Sequence, residues 1–213
     1  LLRGATGSSP ELVEGHVPGV PEDTPEVFSY GVIDIALHPD FEENGTIYFT
    51  FNEARPLPED TSPLQRPGHF QVLRGVWNDG AVSDVEVILA AEGDAYAGGN
   101  RVHVADDGKV WVATTGPYNR TSQDLTDVYG KVLRLNEDGS IPDDNPFVGQ
   151  EGIHPAIVSY GHRDQHGLTV HPETGQAWTV EHGPNGGDEA NLIQLGGNYG
   201  WPDYSFGREY DGS

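Results

Sequence analysis

Residues 167–183 read GLTVHPETGQAWTVEHG. β-formers at 168–170 and 177–180 flank the turn former Pro172-Glu173-Thr174-Gly175, so the stretch predicts a β-hairpin. The pattern recurs twice upstream. Residues 100–116 read NRVHVADDGKVWVATTG, and residues 31–52 read GVIDIALHPDFEENGTIYFTFN. Each copy is a short strand, a turn rich in Pro, Asp or Gly, and a second strand with an aromatic near its start: Tyr48, Trp111 and Trp178. The turns begin near His38, Ala105 and His171, a period of about 67 residues. A hairpin on so long a period leaves room for two further strands per repeat, the layout of a propeller blade. Segments 70–77 and 85–90 supply those strands in the first repeat, and 131–135 and 156–159 in the second. No segment holds a helical period for more than two turns. The expectation is an all-β chain, a single partial β-propeller domain over 1–213 with repeats near 31–90, 100–160 and 167–213. Known propellers have about 4–8 blades, so about three blades amount to roughly half of a ring.

Composition narrows the function. The chain has 213 residues and a formal net charge of -23. That balance argues against nucleic acid, whose phosphates need a basic footprint, and against an anionic membrane surface. It serves solubility, or cation binding where acids cluster. The 29 Gly and 16 Pro are spread along the chain, which favours many tight turns over low complexity. No apolar run reaches the roughly 20 residues of a membrane helix. Cys is absent, so disulfide, thiolate and haem-attachment chemistry are not on offer.

Three polar stretches gather the chemistry: GHRDQHG at 161–167, EHGPNGGDE at 181–189 and GGNYGWP at 196–202. They read as loops over a rigid sheet. His162 and His166 stand four apart, and His182 lies at the far end of the next hairpin, so imidazoles with Glu189 form a candidate transition-metal set. Against this, a His pair at that spacing converges mainly on a helix, and Gly161 and Gly167 disfavour one. His103 falls on a strand pattern and reads as a wall or core residue.

Four motifs in order carry a family resemblance: DIALHPDFEENGTIYFTF at 34–51, SQDLTDVYGKVLRLNEDGSIPDDNPFVG at 122–149, YGHRDQHGL at 160–168 and EHGPNGGDEANLIQLGGNYGWP at 181–202. The chain resembles the soluble quinoprotein glucose/sorbosone (aldose sugar) dehydrogenases from about Gly31 to Gly212. The resemblance implies a six-bladed propeller that binds pyrroloquinoline quinone (PQQ) and calcium. It also implies oxidation of the anomeric carbon of a soluble aldose sugar to a lactone, an external electron acceptor, and a periplasmic or secreted location. A homodimer is left open by the residues.

By the same resemblance, Arg163 and Gln123 match cofactor-binding positions, and Asp164, His166 and His182 fall in the cofactor region. A guanidinium fork suits the carboxylates and quinone oxygens of PQQ. The Gly183-Pro184 carbonyls match the site of the cofactor's calcium, with Asp188 and Glu189 following, and Glu189 with the Tyr199 segment matches a structural calcium. The family's general base is a histidine in a His-x-Gly-Gly-Arg loop. Here the loop reads DAYAGGNR at 94–101, and Tyr96 stands in the histidine's place. A phenol with an ordinary pKa of about 10 is a weak base at neutral pH. The family's Asn-Pro-Gln is Asp164-Gln165-His166 here, which sets an anion beside the quinone carboxylates unless a cation intervenes. Two other readings stay open: a calcium-dependent propeller lactonase, and a non-catalytic carbohydrate- or protein-binding propeller.

Overall fold

The structure, a computed structural model, describes residues 2–3, 11–12, 18–19, 31–54, 67–94, 99–116 and 121–210. A short ladder pairs β1 (Leu2–Arg3) with β2 (Glu11–Leu12). The first repeat forms a four-stranded antiparallel sheet in sequential order: β3 (Gly31–Leu37), β4 (Thr46–Ala54), β5 (Pro67–Asn78) and β6 (Ala81–Asp94). The second repeat forms β7 (Arg101–Val104), β8 (Val110–Ala113), β9 (Lys131–Leu135) and β10 (Ile157–Tyr160). The third contributes β11 (Asp164–Val170), β12 (Ala177–His182) and β13 (Glu189–Leu192). All three expected hairpins are present, with Tyr48 paired to Ala36, Trp111 to His103 and Trp178 to Thr169.

Several details differ from the sequence reading. One helical turn, α1 (Phe41–Asn44), is inserted between β3 and β4. Strands β5 and β6 extend past the limits expected from their apolar runs. The stretch 161–167 is not all loop, because β11 begins at Asp164 and pairs Asp164 with His182. Glu181 and His182 likewise end β12, and Glu189 begins β13. In the third stretch, β14 (Gly197–Asn198) crosses to the second sheet and pairs in parallel with β10.

The first strands of the repeats, β3, β7 and β11, lie side by side. Arg101 spans all three: its Nε donates to the His166 carbonyl at 2.8 Å and its Nη1 to the Ile33 carbonyl at 3.3 Å. The Val102 N–H donates to Asp34 at 3.1 Å. Each sheet presents one face to the next, as propeller blades do. Tyr48, Phe70, Val72, Val110, Val112, Leu133, Leu135 and Ile157 fill the seam between the first and second sheets. Trp111, Val132, Val158, Val170, Ala177 and Ile193 fill the seam between the second and third. All five residues of β9 are buried, because it is covered on both faces. One of them is charged: Lys131 is fully buried, donating to the carbonyls of Tyr129 at 2.6 Å and Thr121 at 3.1 Å, with Asp127 at 3.5 Å.

Two outcomes test this packing. Phe70→Ala should lower unfolding free energy by about 3–5 kcal/mol, the cost of removing a fully buried ring, read from urea midpoints at unchanged m-value. Burial lowers the Lys131 pKa to about 8, while Asp127 opposes the shift. The unfolded chain holds that proton to about 10.4, so between these values it binds more protons than the folded state and stability rises with pH. The stability of the wild type relative to Lys131→Met should therefore increase from pH 8 to pH 10. Parallel pH curves for the two proteins would contradict the assignment.

Candidate functional site

Arg163 stands immediately before β11, at the end of the third sheet where the loops gather, and is buried. Its loop is seated by glycines. Gly130 and Gly161 have φ of +65° and +76°, and a Cβ on either would collide, on Gly130 with Ser122 and the His162 carbonyl, on Gly161 with Asn198. The His162 N–H donates to the Gly130 carbonyl at 3.1 Å, and Ser122 Oγ donates to the His162 carbonyl at 2.7 Å. The loop therefore sits directly on the 121–130 segment of the second repeat.

The Arg163 guanidinium is held from several sides. Its Nη1 donates to the carbonyls of His182 at 2.8 Å and Gly183 at 2.9 Å. Its Nη2 donates to the Tyr210 hydroxyl at 3.2 Å. The Trp201 and Tyr210 rings lie 5.2 Å and 5.9 Å from its central carbon. Two buried donors, Arg163 Nε and Trp201 Nε1, have no hydrogen-bond partner. Unpaired buried N–H groups are costly. Here both belong to residues lining one small cleft with Glu181, His182, Gly183, Glu189, Tyr199 and Tyr204. The cleft joins cationic and N–H groups to carbonyl and carboxylate oxygens, a donor set that fits an oxygen-rich anion together with a hard cation.

The other expected residues fall around this cleft. Asp164 Oδ2 lies 3.1 Å from His166 Nε2, so an imidazole stands beside the carboxylate, and Asp164 Oδ1 accepts from Thr115 at 3.3 Å. The rings of His166 and His182 are 4.6 Å apart. His182 Nδ1 lies 3.2 Å from Asp188, and the Gly183 N–H donates to the same carboxylate at 3.1 Å. These two contacts, the His182 one foremost, hold the Asp188 carboxyl below the usual range. Pro184 is buried behind this turn. Glu189 accepts from Asn191 at 3.2 Å. The Tyr199 hydroxyl donates to the Leu192 carbonyl at 2.6 Å and accepts from the Gln194 N–H at 2.9 Å, and burial raises its pKa.

Gln123 lies across from the cleft in a 3₁₀ turn, Thr121–Gln123. Its amide exchanges hydrogen bonds with the Asn198 amide at 3.0 and 2.9 Å and donates to the Trp201 carbonyl at 2.7 Å. It clamps the third loop to the second repeat. Tyr96 lies outside the described residues. His103 is half-buried on β7, and burial lowers its pKa, consistent with a wall position. The candidate transition-metal set does not assemble. Both ring nitrogens of the fully buried His162 are engaged, by Ser159 at 2.8 Å and Glu181 at 3.0 Å. Among the described residues no group of three or more His, Asp or Glu is spaced to hold a metal. Nor, among them, is any helix long and apolar enough to cross a membrane.

Sequence reasoning missed Glu181. It sits on β12 with its carboxylate turned inward, where it accepts from the Arg163 N–H at 2.6 Å and from Asn191 at 2.7 Å. Ser159, His162 and Glu181 thus have the connectivity of a nucleophile–base–acid triad. Ser159 and His162 are sealed from solvent, however, and no substrate reaches them.

Comparisons with known proteins give the family and the fold. Aldose sugar dehydrogenase YliI of Escherichia coli is 33% identical over 88% of this chain and 51% of the relative. A crystal structure of a glucose dehydrogenase superposes with a TM-score of 0.80 at 32% identity, covering 94% of this chain and 57% of that one. The PQQ-bound form of an aldose sugar dehydrogenase from Streptomyces coelicolor gives a TM-score of 0.68 at 27% identity, over 93% of this chain and 54% of that one. The chain spans about half the length of the curated relatives it matches, in keeping with three sheets of a larger propeller. The family model described as Glucose / Sorbosone dehydrogenase matches residues 8–213, and the chain belongs to that family.

Proposed function

We propose that this chain is part of a PQQ- and calcium-dependent dehydrogenase. It oxidises the anomeric carbon of a soluble aldose to its lactone and passes the electrons to an external acceptor, in the periplasm or after secretion. The observation that carries this reading is the pair of unpartnered buried donors, Arg163 Nε and Trp201 Nε1, in a cleft that also presents the Gly183 carbonyl and the Glu189 carboxylate. The names of the relatives support it, one an aldose sugar dehydrogenase and one an aldose sugar dehydrogenase in its PQQ-bound form.

When bound, the quinone would supply the hydride acceptor, and calcium would polarise its carbonyl as a Lewis acid. The chain's own residues bind and orient. Arg163 offers a fixed fork of donors to carboxylate or quinone oxygens. The Gly183 and Pro184 carbonyls, with Asp188, are the oxygens for the cofactor's calcium. Glu189 and the Tyr199 segment are those for a structural calcium, where the engaged Tyr199 hydroxyl leaves the task to backbone oxygen. Asp164, His166 and His182 would border the cofactor, and His166 stands 3.1 Å from the Asp164 carboxylate. Gln123 holds the third loop in place from the opposite side. Tyr96 takes the position of the family's general base.

Calorimetric titration of PQQ into the calcium-loaded complete gene product tests the reading. Saturable binding is expected, lost on calcium chelation and weakened at least 100-fold by Arg163→Ala. Tyr96→Phe should keep PQQ binding and abolish aldose-dependent dye reduction. A folded protein that hydrolyses lactones with calcium and ignores PQQ would establish the lactonase reading instead, and one with neither activity would leave a binding propeller.

A further inference from the structure

We infer that Glu181 is a positioning residue for Arg163, acting in a hydrogen-bonded relay with Ser159, His162 and Asn191. The inference rests on the proposed role of Arg163 in cofactor binding. Four observations converge on it. The Glu181 carboxylate is buried and accepts three hydrogen bonds: His162 Nδ1 at 3.0 Å and Asn191 Nδ2 at 2.7 Å on Oε1, and the Arg163 N–H at 2.6 Å on Oε2. His162 Nδ1 faces the carboxylate, and on the other side of the ring Ser159 Oγ lies 2.8 Å from Nε2, so both ring nitrogens are engaged. The ring is further pinned by stacking on Tyr199, with centroids 4.5 Å apart.

The relay therefore fixes the backbone of Arg163 from below, while the His182 and Gly183 carbonyls fix its guanidinium from the side. Those carbonyls immediately follow Glu181 on the same strand end. One carboxylate thus sets both the peptide plane that carries the arginine and the start of the turn that receives its Nη1. A donor held in this way keeps its aim, which is what binding of a multiply charged ligand requires.

Glu181→Gln is the discriminating change, because it keeps the volume and loses one acceptor: the amide N–H₂ must face either the Arg163 N–H or the His162 Nδ1–H. In the cofactor-free protein, hydrogen exchange at the Arg163 amide should accelerate at least tenfold, with β9 amides unchanged. In the holoprotein, PQQ affinity should fall at least tenfold. In a double-mutant cycle with Arg163→Ala the two losses should not add, since a misaimed arginine matters only while it is present. Val158→Ala, which trims the same seam, serves as the control: it should lower the melting temperature and leave PQQ affinity alone. Unchanged Arg163 exchange, or additive losses across the cycle, would overturn the inference. If the wild type binds no PQQ while Glu181→Gln still frees the Arg163 amide, the cofactor reading fails and the relay stands. If Glu181→Gln does not fold, Ser159→Ala, which removes only the far end of the relay, should give the same two effects at smaller size, and its failure to do so would overturn the inference.

Discussion

A buried carboxylate has to have its lone pairs filled, and the way Glu181 fills them organises the loop end of this molecule. Its three donors come from two segments, His162 and Arg163 before β11 and Asn191 on β13, while Glu181 itself belongs to β12. Satisfying one buried charge thereby fastens three chain segments to one another. Around that knot the Gly183 turn, the Trp201 loop and the Gln123 clamp each find a fixed seat.

Charge distribution strengthens the point. The chain has only 11 Lys and Arg against 34 Asp and Glu. Of those few cations, Lys131, Arg134 and Arg163 are buried. Arg134 is paired with Asp144 over the Trp111 ring, and Lys131 caps carbonyls of the 121–129 segment. These three cations are used as internal fasteners, so the exterior is more acidic than the composition suggests. Such a field raises the local concentration of divalent cations and repels anions. An anionic cofactor then needs the concentrated positive end that Arg163 provides inside its cleft.

The hairpins and the blade order could be read in the sequence because β-formers, turn residues and aromatics recur together at one long period. Of the residues lining the candidate cleft, Arg163 and Glu189 were legible, as polar residues in Gly-rich surroundings. The onset of β11 was not, because Asp164, Gln165 and His166 have no β-forming side chains; Asp164 and Gln165 are held by pairing with β12, and His166 sits at a bulge. Glu181 was hidden for a related reason. Along β12 the buried positions are Ala177, Thr179 and Glu181, while Trp178 and Val180 are 43% and 49% exposed. The hydrophobic alternation thus points the wrong way. At these positions β12 turns a small, a polar and a charged side chain inward, while Trp178 and Val180 lie on the face that no sheet among the described residues covers. The parallel pairing of β14 left no trace in composition, since two residues, Gly197 and Asn198, make it.

The spacing of these contacts along the chain also matters. Partners in the Glu181 relay are 3 to 19 residues apart, whereas the seam between the first two sheets depends on pairs such as Thr50 with Asn100 and Tyr48 with Glu137, separated by 50 and 89 residues. Each doubling of a closed loop adds about 0.6 kcal/mol of chain entropy. The relay around the arginine therefore closes at a lower entropic cost than the seam. Its partners lie within one stretch of the chain, 159–191, whereas the seam has to bring distant segments together.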